Sequence, residues 1–138
     1  MKKVMCFGTF DLLHLGHLSY FTQAKKYGDH LIVVISRDYT KNKERKKTIF
    51  NENERLQLVQ ALKIVDDVTL GYPDNHLQII QEKKPDIIIL GYDHKIDETQ
   101  LAARLLKIGL SPKIKRAKAY KSTTQKSGKI KEKILKLK

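Results

Sequence analysis

Lys3-Val4-Met5-Cys6-Phe7 runs straight into Gly8-Thr9-Phe10-Asp11-Leu12-Leu13-His14-Leu15-Gly16-His17, and an amphipathic stretch, Leu18 to Tyr27, follows. The first five residues carry one charge and are otherwise apolar, which predicts a buried strand. The order is therefore strand, glycine-containing turn, paired histidines, helix. The amino end of a helix presents unpaired backbone N–H groups and about half a positive charge, which suits phosphate. Gly8 and Gly16 remove side chains where a ligand must approach the backbone. His14 and His17 are three apart, so in a first helical turn they share a face. Imidazoles placed there can donate hydrogen bonds to phosphate oxygens and stabilise charge that builds during phosphoryl-type transfer. Two histidines at this spacing are common on ordinary helices. The joint pattern, after a strand and before a helix, is what makes them specific.

The rest of the chain alternates apolar strands with helices. His30 to Arg37 reads as a second buried strand, with Gly28 as the stop of the helix before it. Asp38 to Lys47 reads as a polar connection rich in Lys41, Lys43, Arg45, Lys46 and Lys47. Asn51 or Asn53 caps a helix over Glu52–Leu62. Val65–Leu70 is a short strand, Gly71-Tyr72-Pro73-Asp74 a turn, and Asn75–Lys83 a helix. Asp86–Leu90 is the most clearly buried strand and ends in Gly91-Tyr92-Asp93-His94. A helix over Glu98–Ile108, a strand over Lys113–Ala119 and a last helix over Ile130–Leu137 complete the pattern. Continuous apolar strands alternating with helices indicate a parallel sheet covered on both faces. In such sheets ligands bind outside the carboxyl ends of the strands. The strands ending at Gly8-Thr9 and at Gly91-Tyr92-Asp93 would deliver polar groups to one crevice. Asp93 there can accept from ribose hydroxyls, hold a metal, or cap the next helix.

A chain of 138 residues suits one domain over residues 1–138 with a modest core. No run reaches the roughly 18 apolar residues of a membrane span, and no secretory leader is evident. Cys6 stands alone, so no intrachain disulfide can form, which fits a reducing cytoplasm. It reads as a small core residue. Net charge is +13, and residues 111–138 hold eleven Lys or Arg against Glu132 alone, leaving only +3 for the first 110 residues. A basic surface suggests polyanionic partners, nucleic acid or nucleoside triphosphates. No nucleic-acid motif or aromatic stripe accompanies the charge. The G-x-G-x-x-G and G-x-x-x-x-G-K-[ST] fingerprints are absent, which argues against hydride chemistry and Walker-type ATP hydrolysis.

Gly8-Thr9-Phe10-Asp11 with His14-Leu15-Gly16-His17 resembles the signature of the cytidylyltransferase-like nucleotidyltransferases, a superfamily that includes glycerol-3-phosphate cytidylyltransferase, pantetheine-phosphate adenylyltransferase and the archaeal FAD synthases. The likeness covers nearly the whole chain. Leu15 stands where relatives usually carry proline. Leu90-Gly91-Tyr92-Asp93 is similar to the archaeal FAD synthases, which tilts the expectation to adenylyl transfer. The resemblance implies a Rossmann-like α/β fold with a five-stranded parallel sheet, ATP with Mg²⁺ or a similar divalent ion, and FMN as acceptor. Glycerol 3-phosphate or another alcohol phosphate with CTP is the alternative, and a basic nucleic-acid-binding protein on a retired scaffold the alternative of another class. It implies His14 and His17 as catalytic groups at the α- and β-phosphates. It also implies nucleotide contacts from Gly8, Thr9, Phe10, Leu15, Gly16, Asp93, Tyr120 and Ser127. Ser122-Thr123-Thr124 is the rival for the hydroxyl-rich phosphate segment, and Lys46, Lys47 and Arg55 are further phosphate contacts. Relatives are often dimers.

Overall fold

A strand with no exposed side needs cover on both faces, and three strands of this chain are of that kind. The computed structural model describes residues 1–44 and 46–120. Its strands are β1 (Lys3–Gly8), β2 (His30–Ile35), β3 (Asp67–Leu70), β4 (Ile87–Leu90) and β5 (Lys113–Arg116). All pair in parallel, in the order β3-β2-β1-β4-β5. The pleat divides the core in two. Val4, Cys6, Leu31, Val33, Ile35, Ile87 and Ile89 face one helical layer. Met5, Ile32, Val34, Ile88 and Leu90 face the other.

The first layer is α1 (Leu15–Lys25) and α3 (Glu52–Gln60), which bury Tyr20, Phe21, Ala24 and Val59. The second is α4 (His76–Lys83) and α5 (Glu98–Leu106), which bury Ile79, Ile80, Leu101 and Leu105. The fold is therefore the expected α/β, Rossmann-like, five-stranded parallel sheet flanked by helices. The edge strand β5 is different. Lys113 and Lys115 are exposed, and the Lys115 ammonium lies 5.6 Å from the centre of the Tyr27 ring.

Three local expectations are corrected. The first helix begins at Leu15, not Leu18, because His14 caps it. Asp38–Lys47 is not wholly a loop: α2 (Asp38–Lys43) occupies its first part, with no buried residue to advertise it in sequence. Gly28 is not a left-handed stop. A Cβ there would lie 2.7 Å from the Lys2 carbonyl oxygen, so close approach demands the glycine. Of the two candidates, Asn51 is the cap of α3, accepting from the Glu54 N–H at 2.9 Å. Asp97, not Asp93, caps α5. Ser127, Ser122–Thr124 and the final helix lie outside the described residues.

Candidate active site

The strand order places the site. From β1 the chain goes first to β2 on one side and later to β4 on the other, so the carboxyl ends of β1 and β4 form the switch point of the sheet. β1 pairs with β4 from Val4↔Ile87 to Cys6↔Ile89. Beyond that pairing the two turns diverge, Gly8–His17 from one strand and Gly91–His94 from the other.

The β1 turn is shaped by one ring. Phe10 takes a left-handed backbone, φ 53°, and is buried. Its ring folds back over Gly8, where a Cβ would come within 2.5 Å of Cζ. Left-handed backbone costs a non-glycine residue about 1–2 kcal/mol, offset here by burying an aromatic ring. Asp11, also buried, accepts from the Ile49 and Phe50 N–H groups at 2.8 Å each. Ser36, just after β2, donates its N–H to the Gly8 carbonyl at 3.0 Å.

The histidines follow as a reciprocal cap. The Gly16 N–H donates to His14 Nδ1 at 3.1 Å, and the His14 N–H donates to His17 Nδ1 at 3.3 Å. Serine and glutamate usually do this at a helix start. With each Nδ1 accepting, each neutral ring keeps its proton on Nε2. The rings stack, centroids 3.9 Å apart, and His17 meets the edge of Phe10 at 5.2 Å. The Nε2 of His14 is buried and has no partner among the described residues. Burial pushes His14 below its usual range; burial first, then the neighbouring His14, pushes His17 down to about 3. Both are neutral donors at physiological pH.

This makes a stability prediction. The unfolded chain takes up a proton at His17 near pH 6.5, its ordinary value, but the folded chain only near pH 3. The folded value is depressed, so the stability it contributes is present above about pH 6.5 and drains away as pH falls toward 3. Urea denaturation between pH 7 and 4 should show the loss, and His17→Gln should flatten it. Parallel slopes for both proteins would contradict the assignment.

The β4 turn mirrors the first. The Gly91 N–H donates to His94 Nδ1 at 3.0 Å, and a Cβ on Gly91 would lie 2.9 Å from that ring. Burial, then the cations Arg116 and Lys41, hold His94 low against the opposing pull of Asp93. Asp93 itself is exposed at the tip. Two arginines brace the two turns from below. Arg116 donates to the carbonyls of Gly91 (3.0 Å), His94 (2.7 Å) and Ile96 (2.6 Å), and to Glu98 (2.9 Å). Arg55, fully buried, donates to the carbonyls of Thr9 (2.9 Å) and Phe50 (3.2 Å) and pairs with Asp38 (2.7 Å).

Arg55 is thus neither a phosphate contact nor a surface ion pair: its donors are spent inside the fold. Lys46 and Lys47 are exposed, on a segment moored to the β1 turn by Asp11 at Ile49 and Phe50. The inward lysine is Lys41 of α2, whose side chain is 15% exposed; it pairs with Glu44 at 2.9 Å, and its charge reaches His94. Leu15 is exposed, and Tyr120 is half-buried at the end of the described residues. From sequence, Tyr20, His94 and Arg116 carry no assigned role, Asp11 is only a letter of the motif, and which lysine of 41–47 meets phosphate stays open. The repeated Gly-x-Phe and Gly-x-x-His after two strands was the available signal for the rings over glycine. Cys6 is buried as expected, and burial pushes its thiol far up, so it is no nucleophile. Among the described residues no helix is long and apolar enough to cross a membrane.

The model of the family described as cytidylyltransferase-like matches residues 5–132. The chain belongs to the cytidylyltransferase-like family. It is 44% identical to the FAD synthase of Thermoplasma volcanium over 137 residues, 99% of this chain and 96% of that one. It is 46% identical to the FAD synthase of Methanobrevibacter smithii, covering 87% and 81%. A crystal structure of the lipopolysaccharide core biosynthesis protein of T. volcanium superposes with TM-score 0.86 at 47% identity, covering 87% and 98%. Pantoate–β-alanine ligase of Francisella tularensis, solved with β,γ ATP and β-alanine, shares the fold at TM-score 0.63 and 21% identity, covering 95% and 65%. As a cytidylyltransferase-like nucleotidyltransferase, the chain has its two imidazoles where a helix start meets the sheet's switch point.

Proposed function

We propose that the chain is an FMN adenylyltransferase. A phosphate oxygen of FMN attacks the α-phosphorus of ATP, a new oxygen–phosphorus bond forms, the bond to the α–β bridging oxygen breaks, and pyrophosphate leaves. FAD is the product. The observation that carries the transfer chemistry is the reciprocal imidazole cap, which ties both Nδ1 atoms to the backbone of a helix start and so leaves the Nε2–H of each ring to donate. The FAD synthase relatives carry the choice of ATP and FMN.

A phosphate acceptor is already anionic, so no general base is needed. Catalysis is positioning plus charge stabilisation. His14 and His17 hold the α- and β-phosphates and donate as charge grows on the bridging oxygen. Neutral donors suit this, because they stabilise the developing charge without over-binding the ground state. Gly16 lets the backbone approach, Gly8 makes room for the Phe10 ring that shapes the turn, and Thr9, Phe10 and Leu15 contribute backbone and hydroxyl contacts. Asp93 takes the ribose hydroxyls, Tyr120 the rim of the base, and Ser127 the terminal phosphates. Lys41, with Lys46 and Lys47 on the moored segment, neutralises the triphosphate.

Among the described residues no three His, Cys, Asp or Glu side chains gather as a metal cage. A divalent ion such as Mg²⁺ would accompany the ATP and screen its triphosphate. A lone buried thiol suits a cytoplasmic enzyme.

Incubating the protein with ATP or CTP against FMN and glycerol 3-phosphate, while following pyrophosphate and flavin absorbance, tests the reading. FAD and pyrophosphate should appear only with ATP and FMN. Product with CTP and none with FMN would replace it by the cytidylyltransferase reading. Salt-sensitive binding to duplex nucleic acid with no triphosphate turnover would replace both.

A further inference from the structure

Tyr20 lies one turn past His17 on α1, and its hydroxyl reaches the place where the β1–β4 pairing ends. The Phe7 N–H donates to it at 3.2 Å, and it donates in turn to the Ile89 carbonyl. Phe7 immediately precedes Gly8, and Ile89 stands two residues before Gly91. The hydroxyl therefore touches both strands just below both turns. The ring is in the same row as the site: centroids 6.3 Å from Phe10 and 6.1 Å from His94, the latter edge-on. With Phe10 against His17 and His17 on His14, five rings run from the first turn to the second.

We infer that Tyr20 is a positioning residue: its hydroxyl sets the gap between the imidazole turn and the Gly91–Asp93 turn, and so the span across which a nucleotide is held. Three structural facts lead there. Tyr20 shares a helix with His14 and His17, so whatever anchors Tyr20 anchors them. Its backbone partners stand on both sides of the switch point, Phe7 on one strand and Ile89 on the other. It is 8% exposed, so no water replaces it if the oxygen is removed. Without the oxygen, the Phe7 N–H and Ile89 carbonyl are left to pair with each other or to go unpaired. Pairing draws the strand ends together; unpairing frees them. Either way the two turns move relative to each other, and misplacement by about 1 Å is costly in a pre-organised site.

This inference rests on the nucleotide lying across both turns, as proposed above, but it does not depend on the acceptor. The test is therefore binding of β,γ-methylene ATP with Mg²⁺, by calorimetry, to wild type and to Tyr20→Phe. The variant keeps the ring and its packing. The dissociation constant should rise about tenfold or more, with the thermal midpoint recorded alongside. A merely structural hydroxyl would lower the midpoint and leave the nucleotide affinity of the folded fraction unchanged; equal affinities overturn the inference. Should Tyr20→Phe not fold, amide exchange at Phe7 in the wild type decides it. Saturating β,γ-methylene ATP should slow that exchange, and an unchanged rate overturns the inference. Failure to make FAD would sink the proposed acceptor and leave these affinity ratios standing.

Discussion

His17→Ala should lower kcat for adenylyl transfer by about a hundredfold or more, measured as pyrophosphate release at saturating ATP and FMN. Loss of a single pre-organised donor to developing charge typically costs that much. The structure adds a reason to expect the upper end. His17 Nδ1 accepts the His14 N–H at 3.3 Å, and the two rings stack at 3.9 Å. Removing one ring therefore loosens the other. Because the donors act mainly on the bridging oxygen as it takes charge, kcat should fall more than the KM for ATP rises. His17→Asn separates the two tasks, since its carbonyl oxygen can still accept from the backbone while its amide points differently. It should preserve the thermal midpoint better than alanine while leaving kcat low. A fall of less than about threefold for alanine would remove His17 from the chemistry, being far below one donor's usual effect.

Arg55→Met should destabilise the fold by about 3–5 kcal/mol in urea denaturation. The side chain is fully buried and binds three groups from three segments: Thr9 within the motif, Phe50 after the lysine segment, and Asp38 at the start of α2. Most of the cost comes from the two stranded carbonyls. Asp38 is one-third exposed and still accepts from the Glu52 N–H at 2.9 Å, so water and backbone share its charge. Arg55→Lys should recover little, because an ammonium cannot present a planar fork to three separated acceptors. A loss below about 1 kcal/mol would show that the carbonyls find other partners. The folded fraction should also bind ATP less well, since the Thr9 carbonyl belongs to the turn that carries Phe10.

The strands and their parallel pairing were legible because burial on both faces leaves unbroken apolar runs, as in Leu31–Ile35 and Ile87–Leu90. The histidine pair was legible because a joint motif fixes both spacing and context. The start of α1 was not: histidine is an unusual cap, and its Nδ1 turns back to Gly16 only in the folded chain. Nor was α2, which buries no apolar side chain and so carries no periodic signal. Arg55 and Arg116 illustrate the same limit. A sequence prints a charge but not the direction it faces. Both were indistinguishable from surface cations, yet each holds together one of the two turns that form the site. Lys41 is the converse: one lysine among several in a polar run, singled out only by where the helix aims it.

The exposed lysines of β5 govern how copies of this chain can meet at that edge. A second molecule zipping onto β5 would set Lys113 and Lys115 against their own duplicates, four ammonium groups along one seam. Like charges directly opposed across neighbouring strands repel, and natural sheets use lysine in this way to stop growth. Strand-to-strand fusion at this border is thereby disfavoured.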